Sequence, residues 1–143
     1  MKIIVRSEKE TAQVAGELAP TLKAGDVLYM HGDLGAGKSV FARALIRVLC
    51  ADEGLDVPSP TFTLVQMYDG MDCPVYHYDL YRIQDAEEIF ELGWEDALSE
   101  GIVIVEWPSR LGAYKGGAAL DIYLSPVEND QDAREIVIER HET

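Results

Sequence analysis

The sequence predicts an α/β protein of three layers, with a mixed, largely parallel central sheet and antiparallel edge strands. Val27-Leu28-Tyr29-Met30 is a short apolar run, followed at once by the glycine-rich residues 32–39 and then by a helical pattern. Residues 102–105, Ile-Val-Ile-Val, form a β-branched run, the pattern of a strand buried on both faces. Shorter strand-like runs bounded by turn residues lie to either side, with helical stretches between them.

Taken in order, Lys2–Val5 reads as a short edge strand. Ser7 fits a helix N-cap, and Glu10 completes a capping box. The helix behind it would bury Thr11, Val14, Ala15 and Leu18 and stop near Pro20. Ala24-Gly25-Asp26 turns the chain into the strand at Val27. After the glycine-rich stretch, Val40, Phe41, Ala44, Leu45, Val48 and Leu49 fall at helical spacing, with Arg43 and Arg47 on the other face. Residues 51–60 are acidic, contain Gly54, Pro58 and Pro60, and read as a mobile surface connection. Residues 62–67 and 75–78 are strand candidates around Asp69-Gly70, which suggests a hairpin. Residues 85–98 look helical, broken at Gly93. Residues 102–105 are the strongest central-strand signal, and 107–117 read as a loop. Residues 120–124 and 136–139 close the chain as two strands, with 128–132 as their turn. There is no repeat, low-complexity stretch or linker, so residues 1–143 read as a single domain.

Residues 32–39, GDLGAGKS, match the phosphate-binding pattern G-x-x-x-x-G-K-[ST] at every fixed position. The chemistry explains the residue types. Gly32, Gly35 and Gly37 let the backbone curl with its N–H groups inward, in conformations that a Cβ disfavours. Those N–H groups and the helix start make a nest for anionic oxygens. The nucleotide-binding candidates are therefore Asp33, Leu34, Gly35, Ala36, Gly37, Lys38, Ser39 and Val40. Lys38 can reach the outer phosphates, and the Ser39 hydroxyl can hold Mg²⁺. Strand, glycine loop and helix in this order are the setting of P-loop nucleotide-binding folds.

A nucleotide-hydrolysing site also needs a carboxylate near the metal and a group that orients water. Such acids sit at the carboxyl ends of sheet strands. Glu106 follows the apolar run 102–105, the Walker B pattern. Asp79 follows the less apolar run 75–78. Spacing slightly favours Glu106 for the metal. Thr61, between Pro60 and Phe62, supplies a hydroxyl that could meet Mg²⁺ or the γ-phosphate, as switch segments do. Trp107 could contact a nucleotide or a partner, although packing on the sheet is the commoner use of a tryptophan. His77 reads as a packing or hydrogen-bonding residue. Arg82 and Arg110 are charge stabilisers or solvated side chains. No [NT]-K-x-D run for guanine and no LSGGQ-like signature is present.

Composition narrows the partners. Twelve basic against 26 acidic residues give a net charge of −14, which disfavours direct gripping of nucleic acid. No apolar run approaches the roughly 20 residues of a membrane span. MKIIVRSEKE turns polar early, so no signal peptide is expected. Cys50 and Cys73 read as reduced intracellular thiols, and a cytoplasmic location is expected.

Together GDLGAGKS at 32–39, SPTFTLV at 59–65, HYDLYR at 77–82 and VEWP at 105–108 resemble, in this order and spacing, the TsaE family, also called YjeE. The resemblance spans roughly positions 7 to 108 and implies a bacterial ATPase needed for the threonylcarbamoyladenosine modification of tRNA. It implies ATP and Mg²⁺ as cofactors, with Lys38 on the β- and γ-phosphates and Ser39 and Glu106 as metal ligands. Asp79 would be the second essential acid, near the γ-phosphate. Thr61 would lie in a nucleotide-sensing loop, Trp107 near the nucleotide, and the segment from Ser7 to Thr11 near the adenine. Many relatives have Lys-Thr where this loop ends in Lys-Ser, and either hydroxyl can ligate Mg²⁺.

The implied partners are TsaD and TsaB, which carry out the transfer to tRNA. This protein, a monomer on its own, would use ATP to reset their assembly and meet tRNA only indirectly. A small-molecule phosphotransferase and a nucleotide-gated binding module without turnover are the alternatives. The pair Asp79 and Glu106 favours hydrolysis, because a pure binding module needs at most one acid on the metal side.

Overall fold

The computed structural model describes residues 1–33, 37–58, 63–114 and 119–141. The strands are β1 (Lys2–Val5), β2 (Val27–His31), β3 (Val65–Asp69), β4 (Pro74–Asp79), β5 (Ile102–Glu106), β6 (Ala119–Val127) and β7 (Asp130–His141). The α-helices are α1 (Glu8–Leu18), α2 (Lys38–Leu49) and α3 (Trp94–Glu100), and Ala19–Thr21, Ala86–Leu92 and Pro108–Tyr114 are 3₁₀ segments.

One seven-stranded sheet has the order β1-β7-β6-β2-β5-β4-β3. Its centre is parallel: β6 with β2, β2 with β5, and β5 with β4. The β1–β7, β6–β7 and β3–β4 pairs are antiparallel, so only β3 and β7 run against the other strands. The mixed, largely parallel sheet expected from sequence is therefore present, with its antiparallel pairs towards the edges.

The layers follow from side-chain alternation. Leu28, Met30, Ile102, Ile104 and Val75 point to one face, where they pack with Val14 and Ala15 of α1 and Phe41, Leu45 and Ile46 of α2. Val27, Tyr29, Val103, Val105 and Tyr78 point to the other, against Ile89, Trp94, Ala97 and Leu111. Strands buried on both faces need the near-continuous apolar runs seen in β2 and β5.

Local signals set the helix ends. The Ser7 hydroxyl accepts the Glu10 N–H at 3.1 Å, and the Glu10 carboxylate accepts the Arg6 N–H at 3.4 Å. Chain 85–98 does break at Gly93, which holds φ 72°, but its first half is 3₁₀ and not α-helical.

Several expectations need correction. In α2 the buried stripe runs through Phe41, Ala42, Leu45 and Ile46, and Val48 is 44% exposed. The helix packs against both the sheet and α1, so burial centres on the side facing both. Within 51–58 there is no helix or strand, yet Val57 is buried in the core. β3 begins at Val65, later than expected; Leu64 before it has φ 67°, outside strand conformation. The stretch after Trp107 is a 3₁₀ segment, kinked at Gly112. β6 and β7 are longer than expected and turn at Glu128-Asn129, with Asn129 at φ 68°.

Candidate functional site

The candidates Lys38, Ser39, Asp79, Glu106 and Trp107 come together at the carboxyl ends of the parallel strands. β2, β4 and β5 are parallel neighbours, and their carboxyl ends stop at the same level. Met30 pairs with Glu106, and Asp79 pairs with Glu106. Glu106 shares the face of Ile102 and Ile104, and Asp79 the face of Val75, so both acids point towards the α2 side of the sheet. The chain leaving β2 passes through Gly32, at φ 149°, and enters α2 through Gly37, at φ 101°. Gly37 is the N-cap of α2 in a left-handed conformation, which a side chain would strain. Lys38 and Ser39 open that helix, so their side chains start beside the two acids.

These groups line one wall of a cleft of about 660 Å³, together with Val40 and Trp107. Lys38 is only 6% exposed, and its Nζ has no hydrogen-bond partner among the described residues. It sits over the Trp107 ring, 3.7 Å from the centroid. Burial pushes its pKa below the ordinary lysine value, opposed by the charges of Glu106, Asp79 and Asp33. A buried ammonium without acceptors is a cation prepared for an anion.

Both acids are buried, and each has an oxygen engaged. Asp79 Oδ1 accepts the Tyr81 N–H at 3.1 Å. Glu106 Oε2 accepts a hydrogen bond from His77 Nε2 at 2.7 Å. The backbone around them is unusual. Trp107 holds φ 61°, and Leu64, whose carbonyl accepts the Asp79 N–H at 2.9 Å, also has positive φ. Non-glycine residues in this region cost free energy and cluster where geometry serves function. Trp107 is also tilted against Tyr81, with ring centroids 5.0 Å apart.

The opposite wall of the cleft comes from both ends of the chain. Arg6, Ser7, Glu8 and Thr11 supply one part, and Gln131, Asp132 and Arg134 the other. They meet because β1 pairs with β7, placing Val5 beside Arg134. Thr11 is buried, and its hydroxyl donates to the Ser7 carbonyl at 3.2 Å. Sequence reading placed the segment from Ser7 to Thr11 here but missed Gln131 and Asp132, which only the long-range strand pairing brings in. Asp33 is exposed and borders a smaller neighbouring cavity, as do Lys38 and Trp107. Leu34, Gly35, Ala36 and Thr61 lie outside the described residues. Arg82 and Arg110 are exposed.

Among the described residues no group of three or more His, Cys, Asp or Glu could hold a metal by itself. One hydroxyl, Ser39, and one carboxylate, Glu106, suit Mg²⁺, which usually takes few protein ligands and completes its shell with phosphates and water. Among the described residues no helix is long and apolar enough to cross a membrane.

Fold and site together define a three-layer α/β protein with a cleft at the carboxyl ends of its parallel strands that gathers Lys38 with Asp79 and Glu106. The chain belongs to the TsaE family: the profile described as threonylcarbamoyl adenosine biosynthesis protein TsaE matches residues 5–136. It is similar to the tRNA threonylcarbamoyladenosine biosynthesis protein TsaE of Rickettsia conorii, 37% identical over 96% of this chain and 78% of that one. The protein of the same name from Aquifex aeolicus is 38% identical over 76% of this chain and 77% of its own. Among solved structures, the crystal structure of Bacillus subtilus YdiB matches with a TM-score of 0.74 and 31% identity, covering 96% of this chain and 83% of that one.

Proposed function

We propose that this protein binds and hydrolyses Mg·ATP in support of tRNA threonylcarbamoyladenosine biosynthesis, and that its turnover is stimulated by a TsaB–TsaD assembly whose conformation it resets. The observation that carries the chemistry is the convergence, at one end of the cleft, of Asp79 and Glu106 with a buried Lys38 ammonium that has no hydrogen-bond partner among the described residues. The family and the names of the relatives support the biological setting.

The β- and γ-phosphates would draw Lys38 away from the Trp107 ring. Its charge then offsets the charge that builds on the transferring group. Ser39 and Glu106 would hold Mg²⁺, which neutralises phosphate charge and fixes the phosphate oxygens. Asp79, with one oxygen fixed by the Tyr81 N–H, would accept a hydrogen bond from the attacking water. The water oxygen bonds to the γ-phosphorus as the bond to the bridging oxygen breaks, giving ADP and inorganic phosphate. The segment from Ser7 to Thr11 would approach the adenine at the far end of the cleft. Thr61 is the proposed sensor of the γ-phosphate.

The test is phosphate release by the purified protein with Mg²⁺ and ATP. Lys38→Ala is expected to cost about 10²–10³ in rate, the scale of losing one transition-state donor. A Lys38→Ala variant that turns over at the parent rate would sink the assignment.

A further inference from the structure

Among the described residues, His77 is a buried titratable side chain in contact with a cleft acid, Glu106, to which the proposed mechanism gives no role. It is 2% exposed and lies two residues before Asp79, hence on the same face of β4. Its register partner on β5 is Ile104, two residues before Glu106. The imidazole is thus a diagonal cross-strand neighbour of the Glu106 carboxylate, and Nε2 donates to Oε2 at 2.7 Å. The other ring nitrogen, Nδ1, is buried with no hydrogen-bond partner among the described residues.

That arrangement is a poor choice for packing alone. Buried polar atoms are normally satisfied, and an aliphatic side chain would fill a strand position facing the core without leaving a nitrogen unpaired. What the imidazole supplies is a directed N–H to one carboxylate oxygen. Asp79 obtains the same restraint from a backbone N–H two residues on. Glu106 has a longer side chain, and its restraint comes across the sheet. With Oε2 held, the carboxylate plane is fixed, and the second oxygen can be presented to a metal in one orientation. Mg²⁺ demands near-ideal octahedral geometry and tolerates a wandering ligand poorly.

We infer that His77 is a positioning residue that orients Glu106 for the divalent cation accompanying the nucleotide. The inference rests on the proposed metal role of Glu106 and deepens it. Outer-shell partners of this kind typically contribute 10–100-fold in metal affinity.

The experiment is isothermal titration calorimetry of a non-hydrolysable ATP analogue with Mg²⁺ and, separately, with EDTA. His77→Leu is expected to reduce the affinity gained from Mg²⁺ by about 10–100-fold, leaving the EDTA value unchanged. His77→Gln, whose amide N–H extends to about the Nε2 position, should recover most of the Mg²⁺ gain. His77→Asn, polar but too short to reach Glu106, should not, and it replaces the leucine variant if that one fails to fold. Equal losses with and without Mg²⁺, or no rescue by glutamine, would mark a merely structural role and overturn the inference. Glu106→Gln separates the two levels. If it abolishes the Mg²⁺ gain while the His77 variants keep it, only the role of His77 falls. If it leaves the gain intact, the metal assignment falls and the inference with it.

Discussion

Lys38 is the residue on which the site turns. Its ammonium has left water, has no hydrogen-bond acceptor among the described residues, and rests on an aromatic face. Burial lowers its pKa, so the folded protein holds this proton less tightly than the unfolded chain. The sign of the linkage follows. Below the lowered pKa the charged lysine costs stability in full. As pH climbs from there to the ordinary value of 10.5, the folded protein releases the proton first and the cost fades. Lys38→Met should therefore be more stable than the parent without nucleotide, by up to about 1–3 kcal/mol near neutrality. The gap should narrow as pH rises towards 10.5. Denaturant titrations of both proteins across that range check this, and a gap that widens with pH would contradict it. Trp107 should report the same group. Drawing the ammonium off its ring should change its fluorescence on nucleotide binding, and Trp107→Phe should remove that change although Trp94 remains.

At the scale of elements, helix α1 forms one wall of the cleft, so its cap bears on both stability and binding. Ser7→Ala removes the hydroxyl that accepts the Glu10 N–H and is expected to cost about 0.5–2 kcal/mol, read by thermal denaturation. Gly93 joins the 3₁₀ segment to α3 at φ 72°, and an added Cβ there meets open space. The cost of Gly93→Ala is thus purely conformational, about 1–2 kcal/mol, with no change at the cleft. Both features were legible in the sequence because they are local: a capping serine three residues before a glutamate, and a glycine interrupting a helical pattern. Strands β2 and β5 were legible because burial on both faces demands unbroken apolar runs. The start of β3, the 3₁₀ character of Ala86–Leu92 and the length of β6 and β7 were not. Tertiary packing and turn geometry decide these, and residue type records them weakly. The stripe on α2 was misplaced for a related reason, since its buried side is set by α1 as well as by the sheet.

For the whole molecule, the wall of the cleft that holds Lys38, Asp79 and Glu106 was legible in the sequence, and the opposite wall only in part, through the segment from Ser7 to Thr11. Lys38, Ser39, Asp79 and Glu106 follow from a loop motif and from acids that end apolar strands, patterns contained within a few residues. Gln131 and Asp132 join the site only because β7 returns beside β1, a contact between the two ends of the chain. The net charge of −14 also belongs to this scale. It predicts that the protein alone retains no tRNA in filter binding at about 0.15 M salt, where basic surfaces still bind. Tight salt-sensitive retention would contradict that division of labour.

The central claim is a nucleotide-driven switch operated by partners. The most direct measurement is ATP hydrolysis by this protein alone and after addition of the cognate TsaB–TsaD pair, with Lys38→Ala run alongside. The account predicts a slow basal rate that rises on mixing and is lost in the variant. A rate indifferent to those partners would contradict it.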